Sequence, residues 1–242
     1  AVDRDGAGLE ALGQHDGLET LTLDITERQG VLEMVRRLES DRRRIRSVVV
    51  SAAVHSTHPA ERLTDEIVDR VLDVNLASHI KLVRDLIPLM TEGGSIIGVS
   101  SIAACVGVPM SSMYSASKWG LEGFYESLWA EVSSRGINVS LVHPGNVNTG
   151  FNETGNTWEA TGDSVLARRY RNVVSRIDSR YGIAPRTVAS VIVRIISKKR
   201  PRFCYVVGGN ARKANWAKKL LGRDLALRLM SKFFGFRGRS GT

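Results

Sequence analysis

Apolar positions along this chain switch between two periods, and the switching is regular enough to lay out a fold. Short continuous apolar runs rich in β-branched residues occur at 47–53 (SVVVSAA), 95–100 (SIIGVS) and 137–142 (INVSLV). Runs of that length and composition predict strands buried on both faces. Shorter strand signals fall at 21–23 and 203–207. Between them the apolar spacing changes to three and four. Residues 27–44 carry Val31, Val35 and Leu38 on one stripe, and 64–90 carry Ile67, Val71, Val74, Leu82, Leu86 and Leu89. Both spacings predict helices, with Thr64 the expected N-cap of the second and Gly93-Gly94 its stop. Further helices are expected over 5–16, 112–134, 164–179, 185–199 and 213–236, the fourth with a proline in its first turn. The stretch 55–63, broken by Pro59, and the polar stretch 151–163 read as loops, and His143-Pro144-Gly145 reads as a strand breaker.

Alternating strands and helices, with strands apolar throughout, predict an α/β fold: a doubly wound parallel sheet covered by helices on both faces. Ligands of such sheets sit beyond the carboxyl ends of the strands. Asp3, Asp24, Ser51, Ala52, Ala53, Ser100, Ser101, Pro144 and Gly145 all fall at such ends.

Composition narrows this only slightly. The 242 residues are 43% apolar, long enough for one substantial core. Cys105 and Cys204 are too few for a disulfide framework or a zinc site. No metal is expected, and a reducing cytoplasm is. No stretch of about 18 apolar residues predicts a membrane span. The net charge of +9 matters more, because of where it lies. Much of it is in KKRPR from Lys198 and in the residues beyond 209, where Trp216, Leu220, Leu221, Leu225, Leu229, Phe233 and Phe234 supply an apolar side. A basic amphipathic helix of this kind suits peripheral contact with an anionic membrane. A lid over the site or a subunit contact is an equal alternative. Nucleic acid is disfavoured, since no recognition motif accompanies the charge.

The candidate chemistry centres on Tyr114 and Lys118, four residues apart in YSASK and therefore on one helical face. An ammonium beside a phenol favours the phenolate. Alone, such a pair is more often a core aromatic beside a surface charge. Here Ser101 stands thirteen residues before Tyr114, Asn75 lies in VNL on the preceding helix, and Pro144-Gly145-Asn146-Val147-Asn148-Thr149 follows the next strand. With these residues together, the chain resembles the short-chain dehydrogenase/reductase family over residues 1–209, leaving 210–242 as a basic helical extension.

The resemblance implies a single Rossmann domain and hydride transfer between a nicotinamide and a lipophilic alcohol, ketone or aldehyde. Tyr114 becomes the general acid or base, and Lys118 lowers its pKa and holds the nicotinamide ribose. Ser101, with Ser100 as its competitor, fixes the substrate oxygen. Asn75 kinks its helix and binds a water that joins the lysine to solvent. Pro144, Gly145, Val147 and Thr149 hold the carboxamide. Asp24 and Ile25 flank the adenine, although Asp24 is also a candidate helix N-cap. Asp3 meets the adenosine ribose and favours NAD, while Arg4 beside it keeps NADP open. Ser51, Ala52 and Ala53 replace the family's Asn-Ala-Gly along the cofactor. Phe151, Trp158 and Tyr170 are candidate substrate-facing residues or ordinary core aromatics. The family is commonly oligomeric, so a homo-oligomer is expected.

One family feature has no counterpart. The opening strand and its TGxxxGxG turn, which hold the pyrophosphate, are absent. The chain is therefore expected to be N-terminally truncated relative to the family by about thirty residues. The loss would leave two unpaired strand edges mid-sheet. The rival expectation is a degenerate Rossmann protein without catalysis, acting as a binding or membrane-associated module.

Overall fold

A computed structural model describes residues 1–13, 15–149, 151, 155–178 and 182–236. The chain opens with β1 (Val2–Asp3), α1 (Gly6–Glu10), β2 (Leu21–Thr22) and α2 (Arg28–Ser40). It continues through β3 (Ile45–Val50), β4 (Ser56–Thr57), α3 (Asp65–Leu72), α4 (Ser78–Leu86), β5 (Met90–Val99), α5 (Ser112–Glu131) and β6 (Asn138–Pro144). It closes with β7 (Asn156–Thr157), α6 (Val165–Arg176), α7 (Pro185–Ile196), β8 (Cys204–Val207) and α8 (Gly209–Phe233).

The three long apolar runs form the middle of the molecule. They lie in β3, β5 and β6, which with β8 make a parallel sheet in the order β3-β5-β6-β8. The sheet is covered on both faces, which is why its strands need apolar residues at successive positions. On one face Val48, Ile96, Val139 and Leu141 pack with Val31 and Val35 of α2, Leu82 and Leu86 of α4, and Leu121, Tyr125 and Leu128 of α5. On the other, Ile97, Val142, Tyr205 and Val207 pack with Val188 and Ile195 of α7. This is the doubly wound parallel architecture that the alternation predicts.

The sheet is interrupted where the unpaired edges are expected. Strands β1 and β2 pair in parallel only with each other. Between them and β3 lies a cleft of about 420 Å³ lined by Val2, Leu23, Val48, Val49, Leu82 and Leu86, among others. Val2 and Val49 are 45% and 42% exposed there.

Several expected elements are drawn differently. The long helix over 64–90 is really α3, a π-helical turn over Asp73–Ala77, α4, and a 3₁₀ turn over Ile87–Leu89. Pro88 in that last turn cannot continue an α-helix, because its ring clashes one turn back. Met90 already begins β5, and Gly93-Gly94 is a bulge within that strand rather than a helix stop. The β3–β5 register jumps there, from Ile45↔Met90 to Ser47↔Ser95. Gly93 has φ of 71°, a conformation suited to glycine. The predicted helix over 5–16 contracts to α1. The helix expected over 164–179 ends at Arg176, and Ser179 lies outside the described residues. His143 and Pro144 close β6 instead of breaking it, and α8 kinks at Gly222, where φ is 74°. The loop at 55–63 contains β4, which pairs with β7 and ties the start of the polar stretch 151–163 over the sheet.

Candidate active site

The site stands at the carboxyl ends of β3, β5 and β6. Helix α5 brings Tyr114, Lys118 and Glu122 to one face, each a turn after the last. Beyond the end of β5, Ser101 caps a short 3₁₀ turn, its Oγ accepting from Ala103 N–H at 3.1 Å. The same hydroxyl and the Tyr114 phenol line one cavity, and Ser101 acts on that phenol in the direction that favours the phenolate. Ser100, its competitor, is buried and donates instead to Glu122 Oε1 at 2.9 Å. Both serines line the cavity with Tyr114, but the Ser100 hydroxyl is committed to Glu122.

Tyr114 is half-buried, with its ring on a cavity of about 440 Å³. Loss of solvent around the phenol pushes its pKa up to about 12, and the Ser101 hydrogen bond opposes this only in part. Lys118 is fully buried, with Nζ donating to Val99 C=O at 3.0 Å. Nζ lies 5.7 Å from the Tyr114 ring centroid. Burial lowers Lys118 to about 8, against the opposing pull of Glu122. In this structure burial dominates both groups, raising the phenol and lowering the ammonium.

Asn75 lies in the π-helical turn, at 0% exposure. The turn is the predicted kink. Asn75 Oδ1 accepts from Val54 N–H at 2.7 Å, and Nδ2 donates to Val54 C=O at 2.9 Å and Ser117 Oγ at 3.1 Å. The amide thereby clamps the chain beyond β3 against α5, with Ser117 adjacent to Lys118.

Pro144, Gly145, Val147 and Thr149 line the same cavity as Tyr114, as do Ser51 and Ala53. Phe151 joins them, as expected for a substrate-facing residue. Trp158 and Tyr170 do not. Their rings pack edge to face at 5.2 Å in a separate cluster with Met110, Val173 and Phe234.

The remaining predicted cofactor residues line the second cleft: Asp3, Arg4, Asp24, Ile25 and Ala52. Ser51 and Ala53 line both spaces. Asp3 Oδ1 accepts from Asp5 N–H at 3.0 Å. Asp24 Oδ1 accepts from Thr26 N–H and Oγ1 at 2.9 and 2.8 Å, and Oδ2 lies 3.9 Å from Arg4 Nη1. Burial raises the Asp24 pKa, but these partners more than offset it and leave it lowered. Asp24 is not the N-cap of α2; that position belongs to Glu27.

Two groups had no signal in the sequence. His55, on the strand-end side of β4, stands edge-on to Tyr114 with ring centroids 4.8 Å apart. Thr57 Oγ1 meets its Nδ1 at 3.2 Å, and burial alone lowers it to about 4, so it is a neutral polar wall of the cavity. The second group is Glu122 with His143, joined through Glu122 Oε1 and His143 Nε2. Each contact spans tens of residues, and nothing local marks it.

Comparison with known proteins agrees with this geometry. The model of the short chain dehydrogenase family matches residues 2–160. A 3-ketodihydrosphingosine reductase from Bacteroides thetaiotaomicron is 32% identical over 196 residues, covering 78% of this chain and 72% of that protein. Bovine retinol dehydrogenase 8 is 32% identical over 203 residues, covering 79% of this chain and 64% of its own length. Among solved structures, a short-chain dehydrogenase from Streptomyces avermitilis superimposes with a TM-score of 0.79 at 22% identity, over 98% of this chain and 88% of its own. A 4-hydroxyisoleucine dehydrogenase complexed with NADH has a TM-score of 0.70 at 20% identity, over 86% of each chain. These last two share the fold. The chain belongs to the short chain dehydrogenase family of oxidoreductases.

Proposed function

We propose that the protein transfers hydride between a nicotinamide dinucleotide and a lipophilic secondary alcohol, ketone or aldehyde. The observation that carries this reading is the placing of Ser101 and Tyr114 on one cavity whose other walls include Val108, Phe151, Ile177, Val188 and Ile192. A hydroxyl pair in an apolar pocket fits a substrate with one oxygen and a hydrocarbon body.

The two spaces, which share Ser51 and Ala53, fit the cofactor by the chemistry each offers. Lys118 and Tyr114 offer a cation and a hydroxyl in one, with Pro144, Gly145, Val147 and Thr149 around them. Asp3 and Asp24 offer carboxylate in the other, with Ile25 as an apolar wall. When bound, the nicotinamide supplies or accepts the hydride. Asp3 favours an unphosphorylated ribose, and Arg4 leans toward Asp24, so NAD is the preferred form, with NADP the alternative. In reduction, Ser101 holds the substrate oxygen and Tyr114, protonated across neutral pH, gives it a proton. In oxidation, Tyr114 takes the proton back. Lys118 orients the ribose, and Asn75 maintains the packing behind Lys118. Contact within roughly 3 Å is what such proton transfer requires.

The test is an activity screen with NAD and NADP against a panel of lipophilic alcohols and ketones, alongside NADH fluorescence. Nicotinamide-dependent turnover and a fluorescence change support the reading. Unchanged fluorescence and no turnover would favour the non-catalytic binding module.

The α8 helix adds a partner to this reading. Trp216, Leu220, Leu225, Leu229 and Phe233 are exposed on it, among Arg212, Lys213, Arg223, Arg228 and Lys232. We propose that this face rests on an anionic bilayer, through apolar insertion plus charge. Among the described residues no helix is long and apolar enough to cross a membrane. Sedimentation with phosphatidylglycerol vesicles should retain the protein, and removal of residues after Gly209 should release it. Equal partitioning of the two forms would contradict the contact.

A further inference from the structure

Cys204 opens β8 with an exposed side chain, and its sulfur is not solitary. Sγ lies 3.0 Å from His143 Nδ1. His143 is buried, at 1% exposure, and its opposite nitrogen meets Glu122 Oε1. The same carboxylate oxygen is steadied by Ser100 Oγ at 2.9 Å. None of Cys204, His143 and Glu122 lines the cavity that holds Tyr114. This is a thiol, an imidazole and an orienting carboxylate in hydrogen-bonded order, the arrangement that activates a nucleophile.

The surroundings add charge of one sign. Lys198, Lys199, Arg200 and Arg202 precede the cysteine within six residues. An accessible thiol bonded to an imidazole is the kind that reacts selectively, and the cationic run before it in the chain favours an anionic reagent. Desolvation of His143 works against its protonation, yet the bonds to Cys204 and Glu122 outweigh it and raise its pKa to about 9. The imidazole therefore keeps a proton facing the sulfur at neutral pH.

We propose that Cys204 is a modification site, activated by His143 and positioned through Glu122, for anionic low-molecular-weight disulfides. Its sulfur attacks one sulfur of the disulfide. A new S–S bond to Cys204 forms as the original S–S bond breaks. The second half leaves as a thiolate, and the proton that Cys204 has given up passes to solvent or, where the leaving thiol is weakly acidic, to that thiolate. One thiol is oxidised and one disulfide sulfur reduced, so the co-reactant is the disulfide itself.

The test uses the full chain at neutral pH with dithio-bis-nitrobenzoate, an anionic disulfide whose leaving thiolate is coloured. The fast equivalent should map by mass spectrometry to Cys204, not to half-buried Cys105. Its rate should exceed that of a cysteine in an unstructured peptide about 10-fold, and Glu122→Gln or His143→Gln should slow it about 10-fold. Cys204→Ser should abolish it. Circular dichroism checks that each variant is folded. Should His143→Gln not fold, the comparison of the unaltered protein with the peptide decides. A Cys204 rate equal to that of the peptide, an unchanged rate in folded Glu122→Gln, or a fast adduct on Cys105 would each overturn the proposal.

Discussion

Asn75 and Val54 are bound to each other through both ends of one amide: Oδ1 accepts from Val54 N–H at 2.7 Å, and Nδ2 donates to Val54 C=O at 2.9 Å. A third bond, to Ser117 Oγ, fastens this pair to α5 beside Lys118. The π-helical turn makes the clamp accessible, because an extra residue in the turn redirects the asparagine side chain.

Asn75→Ala should therefore act on stability first. It removes the partner of the half-buried Val54 N–H and C=O, groups that cost about 1–3 kcal/mol when buried and unsatisfied, while Ser117 Oγ keeps its bond to Tyr114 C=O. We expect a loss of about 2–4 kcal/mol in urea unfolding, with activity reduced as well. A loss under ~0.5 kcal/mol would show that water replaces the amide without cost.

The two serines should separate. Ser101→Ala removes the hydroxyl bound to Tyr114 and should lower kcat about 10²-fold with little effect on folding. Ser100→Ala removes a bond to Glu122 and should change kcat much less. Steady-state kinetics of both variants decide the assignment. Equal losses would mean that the two hydroxyls share the substrate.

The pH dependence should differ by direction of reaction. Tyr114 is raised to about 12, so its acid form persists through neutral and mildly alkaline pH. Reduction should then be flat between pH 6 and 7, where the proton donor is loaded and Lys118, lowered to about 8, still carries its charge. Oxidation needs the phenolate and should rise with pH over the same range, by up to ~10-fold per unit. A fall in oxidation rate with rising pH would contradict the role of Tyr114 as base.

Acid should loosen the fold through two buried imidazoles. Burial lowers His55 to about 4 and His79 to about 3, the latter aided by the Lys118 charge. Both values are depressed, so below pH 6.5 the unfolded chain binds the extra protons and stability is lost as pH falls. Two such groups give a slope of up to ~2.7 kcal/mol per pH unit. Urea unfolding at pH 6 and pH 5 should show a loss of about 2 kcal/mol. His79→Gln, which can still reach Tyr125, should shrink that loss by about half. A pH-independent midpoint would contradict the burial of these rings as neutral groups.

Much of this was legible in the sequence, for physical reasons that vary by element. The strands at 47–53, 95–100 and 137–142 are buried on both faces, and two-sided burial demands the continuous apolar runs that reveal them. Tyr114 and Lys118 could be paired because helical spacing is local, and Ser101 joined them through the thirteen-residue spacing of the family motif the chain resembles. The segment 64–90 misled, since the apolar spacing of Ile67 through Leu89 continues smoothly across both the π turn at Asn75 and the break at Pro88. Gly93-Gly94 resembles a helix stop and serves as a strand bulge. Strands β4 and β7 are two residues each, too short for any periodicity. His55 against Tyr114, and Glu122 with His143 and Cys204, are tertiary contacts between chemically ordinary residues. For Trp158 and Tyr170 the sequence left open a substrate wall or an ordinary core role, and they take the core role.

The most direct measurement is turnover by Tyr114→Phe, made alongside NADH binding by fluorescence. Phenylalanine keeps the ring beside His55 and Phe151 and removes only the hydroxyl that Ser101 engages. The account predicts a fall in kcat of about 10³-fold, with NADH affinity within about threefold of the unaltered protein. Turnover within tenfold of the unaltered protein would contradict a proton relay through Tyr114.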